Sequence, residues 1–107
     1  MITCYLRYTL DPAQLAAFED YSRRWVSLVT RFGGTHHGYF LPGEGANDEA
    51  VALFSFPTLA DYERYRRDSL QDPECVDAYR LAEETGCIRR YDRSFLRPLL
   101  DQGQRGV

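Results

Sequence analysis

The chain has 107 residues, 13 basic and 16 acidic side chains, a formal net charge of −3, and 44% hydrophobic and 14% aromatic content. That length allows one domain around one core, and that composition excludes a disordered chain. The acidic balance argues against nucleic acid or an anionic membrane as partner, and three cysteines without a CxxC spacing argue against a disulfide scaffold or a structural zinc site.

Residues Ile2 to Leu10 alternate, with Ile2, Cys4, Leu6, Tyr8 and Leu10 apolar and Thr3, Arg7 and Thr9 between them, so they predict a first strand. Asp11-Pro12-Ala13-Gln14 then opens a helix: Asp11 caps, Pro12 suits the first position, and Gln14 reaches back. The helix is expected to run to about Phe32. Its apolar stripe is Leu15, Phe18, Ser22, Trp25, Val29 and Phe32, widened by Ala17 and Val26, and Gly33-Gly34 stops it. Thr35 to Leu41 predicts a second strand, residues 42–49 a turn-rich loop, and Ala50 to Phe56 a third strand. Thr58 caps a second helix near Leu59 to Leu70, with Leu59, Tyr62, Tyr65 and Leu70 inward. Asp72-Pro73 restarts helix, and Gly86 ends it. Ile88 to Leu96 is the last strand. Residues 1–100 thus read as one domain and 101–107 as a polar, flexible tail.

The order βαββαβ predicts an α+β, ferredoxin-like subunit. Two right-handed βαβ crossovers interleave into a four-stranded antiparallel sheet of order 4-1-3-2, with the helices on one face. Strands one and three are the most apolar and take the centre. Strands two and four carry His36, His37, Arg89, Arg90, Asp92 and Arg93 and take the edges, where charge suppresses unwanted pairing. The face away from the helices should then be polar, yet strand three offers Val51 and Leu53 to one side and Ala52, Phe54 and Phe56 to the other, strand one adds Tyr5 opposite its apolar row, and strand four adds Tyr91 and Phe95 opposite Ile88. An uncovered patch of roughly several hundred Å² is rare in monomers. A second copy, sheet against sheet, is the simplest cover, which makes the expected assembly a homodimer.

The run Trp25-Val26 to Gly33-Gly34-Thr35-His36-His37-Gly38-Tyr39-Phe40 resembles the NIPSNAP family. So do Ala52 to Phe56, Leu59-Ala60-Asp61-Tyr62-Glu63, and the closing Ile88-Arg89-Arg90-Tyr91-Asp92 to Leu96. The resemblance spans about Ile2 to Leu100 and implies a dimeric α+β barrel. Relatives in that superfamily include cofactor-independent monooxygenases, haem-degrading enzymes and isomerases. The family supplies no agreed catalytic residues to carry over.

His36 and His37 are the only histidines and the candidate catalytic residues. Adjacent on a strand, they point to opposite faces and cannot hold one metal together, so no metal site is expected. An inward histidine could serve as a general base or as an axial haem ligand; haem has no other support, and no cofactor is expected. Trp25, Tyr39, Tyr62, Tyr65 and Tyr79 are the candidate walls of a cleft between helices and sheet, set against the ordinary use of such a stripe as core. Arg7 is a candidate ligand contact, set against inter-strand salt bridging. Gly43-Glu44-Gly45 lacks a following helix and is not a phosphate loop.

The function expected is binding of a small apolar or aromatic molecule in that cleft. The alternative is a small monooxygenase- or isomerase-type enzyme without a cofactor. An RNA-recognition role is disfavoured, because the third strand lacks neighbouring basic residues. No apolar run is long enough to span a membrane and no signal peptide is evident, so the expected location is cytoplasmic.

Overall fold

A computed structural model describes residues 1–100; the expected tail at 101–107 lies outside the described residues. The elements are β1 (Ile2–Leu10), a 3-10 turn (Pro12–Gln14), α1 (Leu15–Arg31), β2 (Thr35–Phe40), β3 (Glu49–Phe56), α2 (Leu59–Ser69), α3 (Pro73–Thr85) and β4 (Ile88–Leu96). The sheet order is β2-β3-β1-β4, every pair antiparallel. This is the predicted 4-1-3-2 order read from the other edge.

The predicted punctuation appears as side-chain chemistry. Asp11 accepts from the Ala13 N–H, but the first turn is 3-10: the Gln14 N–H donates to the Asp11 carbonyl at 2.9 Å, while the Asp11 N–H donates to the Cys87 carbonyl at 3.0 Å and not to the Gln14 side chain. Thr58 Oγ1 accepts from the Asp61 N–H at 3.1 Å and donates to Asp61 Oδ2 at 2.8 Å. Asp72 accepts from the Cys75 N–H, and Gly86 closes α3 in the left-handed region. Arg31, in the last turn of α1, bridges to Asp72 at 2.6 Å and Glu74 at 2.7 Å, clamping α1 to the start of α3.

All three helices pack on one face of the sheet. Tyr8 of β1 meets Phe18 of α1 at 5.1 Å between ring centroids, Phe56 of β3 meets Tyr65 of α2 at 5.0 Å, and Trp25 of α1 meets Tyr79 of α3 at 5.0 Å. The buried stripe of α1 is Phe18, Tyr21, Ser22, Trp25, Leu28 and Val29. It widens through Tyr21 and Leu28; Val26, expected inward, is exposed. On α2, Tyr62 and Tyr65 are buried, whereas Leu59 and Leu70 are exposed.

Two register shifts change which residues share a face. In β2 the pairing steps from His36 opposite Phe54 to Gly38 opposite Leu53, leaving His37 as the extra residue of a bulge. In β4 it steps from Arg90 opposite Thr9 to Ile88 opposite Leu10. The second shift corrects the expectation for Tyr91 and Phe95. Both lie on the helix face with Ile88, Tyr91 beside Tyr8 at 6.1 Å and Phe95 against Tyr62 at 4.9 Å.

By strand parity the open face carries Thr3, Tyr5, Arg7, His37, Phe40, Val51, Leu53, Ser55, Arg90, Asp92 and Leu96. It is more mixed than expected. Several of its polar groups pair among themselves: Thr3 Oγ1 lies 2.7 Å from Ser55 Oγ, Ser55 Oγ lies 2.7 Å from His37 Nε2, and Arg90 bonds Asp92 at 3.2 Å, while Arg7 makes no ion pair among the described residues.

Candidate functional site

Between the helix face of the sheet and the three helices lies a cavity of about 480 Å³. Helical spacing supplies its walls. Tyr21, Trp25 and Val29 recur every four residues on α1, Tyr62, Tyr65 and Arg66 come from α2, and Tyr79, Ala82 and Glu83 come from α3. The strands add Leu6 and Tyr8 from β1, Tyr39 from β2, Phe54 from β3, and Ile88, Tyr91 and Arg93 from β4. Every tyrosine of the chain except Tyr5 borders this one space.

The inner wall is aromatic and protonated. Burial pushes the Tyr8, Tyr21, Tyr39 and Tyr65 phenols well above their ordinary range. Burial also raises Tyr62, while the positive charges of Arg93 and Arg66 pull it back. At neutral pH these hydroxyls therefore donate and accept hydrogen bonds but do not ionise. The Trp25 indole Nε1 is buried without a hydrogen-bond partner. A buried donor left unpaired is costly, and a polar atom of a guest would relieve that cost.

The rim is charged. Arg66 and Arg93 are half-buried and Glu83 is exposed. The Arg93 guanidinium lies 5.4 Å from the centre of the Tyr91 ring, and its Nε is buried and unpartnered. Among the described residues, none of these three side chains makes an ion pair, although eight other arginine–carboxylate bridges form elsewhere.

Trp25, Tyr39, Tyr62, Tyr65 and Tyr79 come together on the cavity. Arg7 does not: its strand parity places it on the open face, paired in register with Val51 and Asp92. The two histidines fall on opposite faces. His36 turns toward the helix side, stacks on Tyr39 at 5.0 Å, and accepts the Gly38 N–H on Nδ1 at 2.9 Å. His37 reaches Ser55 on the open face. Neither borders the cavity, so neither is placed to ligate a haem or take a proton there. Among the described residues no group of three or more histidine, cysteine or acidic side chains is gathered as a metal site, and no helix is long and apolar enough to cross a membrane.

Sequence reasoning missed Tyr8, Tyr21, Tyr91, Arg66 and Arg93. Tyr21 precedes Trp25 by one helical turn and Arg66 follows Tyr62 by one, so i,i+4 spacing from the recognised pair could have found both. Tyr8 is on the apolar parity of β1 and was legible as core. Tyr91 and Arg93 were hidden by the β4 register shift.

The NIPSNAP family model matches residues 5–101. The chain belongs to the NIPSNAP family. No curated protein matches it. Among solved structures it is similar to a NIPSNAP family protein of unknown function from Agrobacterium tumefaciens, at 19% identity and a TM-score of 0.78, over 92% of this chain and 93% of that one. A NIPSNAP-like domain protein from Burkholderia xenovorans shares 23% identity at a TM-score of 0.74, over 92% and 84% of the two chains. SnoaB of Streptomyces nogalater, described as a cofactor-independent oxygenase, shares 16% identity at a TM-score of 0.64, over 96% and 97%. At these identities the likenesses establish the fold alone, an α+β subunit that this NIPSNAP chain shares with the three proteins.

Proposed function

We propose that this NIPSNAP chain binds a small aromatic or apolar molecule in the cavity between helices and sheet, as one subunit of a homodimeric α+β barrel. The observation that carries the reading is the gathering of seven phenols and the single tryptophan around about 480 Å³. That volume suits a drug-sized ligand, and the wall is the kind such sites use: apolar bodies with a few polar tips. A packed core would fill the space.

The second reading, an oxygenase or isomerase acting without a cofactor, draws on the fold shared with SnoaB. Such chemistry needs a base within reach of the substrate's proton. The cavity's buried phenols hold their protons and the histidines lie outside it. Binding is therefore the better supported of the two.

Trp25 is the chain's only tryptophan and lies on the cavity wall, so it reports occupancy directly. Titration with a neutral aromatic amide, 2-naphthamide, should change its emission saturably. Ala82→Phe, which puts a ring into the cavity, should abolish that change while preserving the thermal melt. A linear, unsaturable response in the wild type would overturn the reading.

A further inference from the structure

Resting on the binding reading, we infer that the cavity selects ligands carrying a carboxylate on an aromatic body, and that Arg93 and Arg66 hold that carboxylate at the rim.

Arg93 and Arg66 converge on the same place from different elements. Arg93 lies on β4 opposite Leu6, and Arg66 lies one turn beyond Tyr62 on α2. Tyr62 packs on Phe95 of β4 at 4.9 Å, and Phe95 shares the helix face with Arg93 two residues away, so both guanidiniums line the same end of the cavity, where their charge also acts on Tyr62 and on the Cys4 thiol. Among the described residues no anion pairs with them there. Burial pushes the Cys4 thiol up to about 11 in spite of both arginines, and Tyr62 is likewise held protonated. Neither can act as a counterion near neutral pH.

Of the carboxylates elsewhere on β4 and α2, Asp68 pairs with Arg67, and Glu63 is exposed and makes no ion pair with either arginine among the described residues. Asp92, one residue before Arg93 and therefore on the opposite face, bonds Arg90, and Asp61 bonds Arg64. Glu83, on α3, is the only acidic side chain lining the cavity; it is exposed and makes no ion pair among the described residues. The rim thus carries two positive charges against one negative on a chain whose net charge is −3.

The ordinary use of Arg93 is to lie over Tyr91 with its head in water. That does not account for Nε, which is shut away from solvent with no acceptor. A guanidinium presents a planar fork that matches a carboxylate with two parallel hydrogen bonds, and a charged donor left without an acceptor costs more than a neutral one. A carboxylate at the rim would satisfy that donor, with the attached ring among the tyrosines and the Trp25 N–H.

The test compares 2-naphthoate with 2-naphthamide, which share a body and differ in charge, on wild type, Arg93→Met, Arg93→Lys and Arg66→Met, read by Trp25 emission. In the wild type the acid should bind at least about tenfold more tightly than the amide, the scale of a charged hydrogen bond. Arg93→Met should weaken the acid far more than the amide and so erase most of that preference. Arg93→Lys should keep part of it, since charge survives but the fork does not. Arg66→Met, at a half-buried helix position where Met keeps the apolar stem, should weaken the preference with little change in the melt, and so reads the effect even if Arg93→Met folds poorly. Equal binding of acid and amide in the wild type, or a preference unchanged in both methionine variants, overturns the inference and leaves the cavity reading standing. If neither probe changes Trp25 emission saturably, the cavity reading falls and takes this inference with it.

Discussion

His36 shows what packing against aromatic rings does to a half-buried titratable group. Desolvation, with a smaller contribution from the neighbouring charge of His37, lowers its pKa from the usual 6.5 to about 4. The folded protein therefore holds His36 neutral, stacked on Tyr39 and Phe54, while the unfolded chain protonates it near 6.5. The unfolded state binds the extra proton, so stability is full above pH 6.5 and is lost as pH falls toward 4. His36→Asn keeps an acceptor for the Gly38 N–H but cannot titrate. Its melting temperature should fall less than that of the wild type between pH 6.5 and 4, measured by thermal unfolding across that window. Parallel curves would show that His36 is not the group responsible. The sequence marked this residue as chemically special, and it is, yet the perturbation comes from packing against aromatic rings. A histidine's neighbours in space decide between those roles, and strand alternation alone does not name them.

Bulges carry the arrangement of the site from the elements to the cavity. Strand, helix and cap positions were legible because each rests on local chemistry: Thr58 and Asp72 as caps, Gly86 as a stop, alternation in β1. Face assignment in β2 and β4 was not legible, because one extra residue reverses the parity of everything beyond it. In β2 the shift puts His36 and Tyr39, three apart, on the same face, where their rings stack. In β4 it brings Tyr91 and Arg93 into the cavity. The β2 bulge depends on Gly38, whose φ of +116° lies where side-chain-bearing residues are strained. A Cβ there would meet nothing within 4 Å, so the cost of a substitution is conformational and not steric. Gly38→Ala should lose about 1–2 kcal/mol of stability, read from the denaturant midpoint at constant slope. Gly43→Ala, equally uncrowded but without a positive φ, should stay within about 0.5 kcal/mol of wild type. Equal costs at the two positions would show that the bulge does not need its glycine.

At the scale of the whole molecule the proposed homodimer rests on the open sheet face. Losing Tyr91 and Phe95 to the helix side leaves Tyr5, Val51 and Leu53 half-buried at its centre and Phe40 and Leu96 exposed at 55% and 49%. Several of its polar groups are settled: Thr3, Ser55 and His37 bond one another, as do Arg90 and Asp92, so a second sheet laid across them strands no donor already paired, and Arg7, exposed and without an ion pair among the described residues, is the charge a second copy has to leave in water or answer with an acid. Pairing two such faces closes the barrel and leaves each cavity on the outer, helical side of its own sheet. Ligand binding and dimerisation are then separable. Leu53→Arg tests this, because Leu53 faces away from the helix-side core and its replacement leaves that core intact. A buried leucine contributes about 1.5–3 kcal/mol per copy, and an unpaired arginine in its place costs several more. The wild type should scatter light as twice 12.4 kDa, and Leu53→Arg as 12.4 kDa with its Trp25 response to 2-naphthamide retained. A wild type at the single mass, or a variant still at the doubled one, would remove this face as the interface. Loss of the Trp25 response together with the dimer would show that the second copy helps to build the cavity.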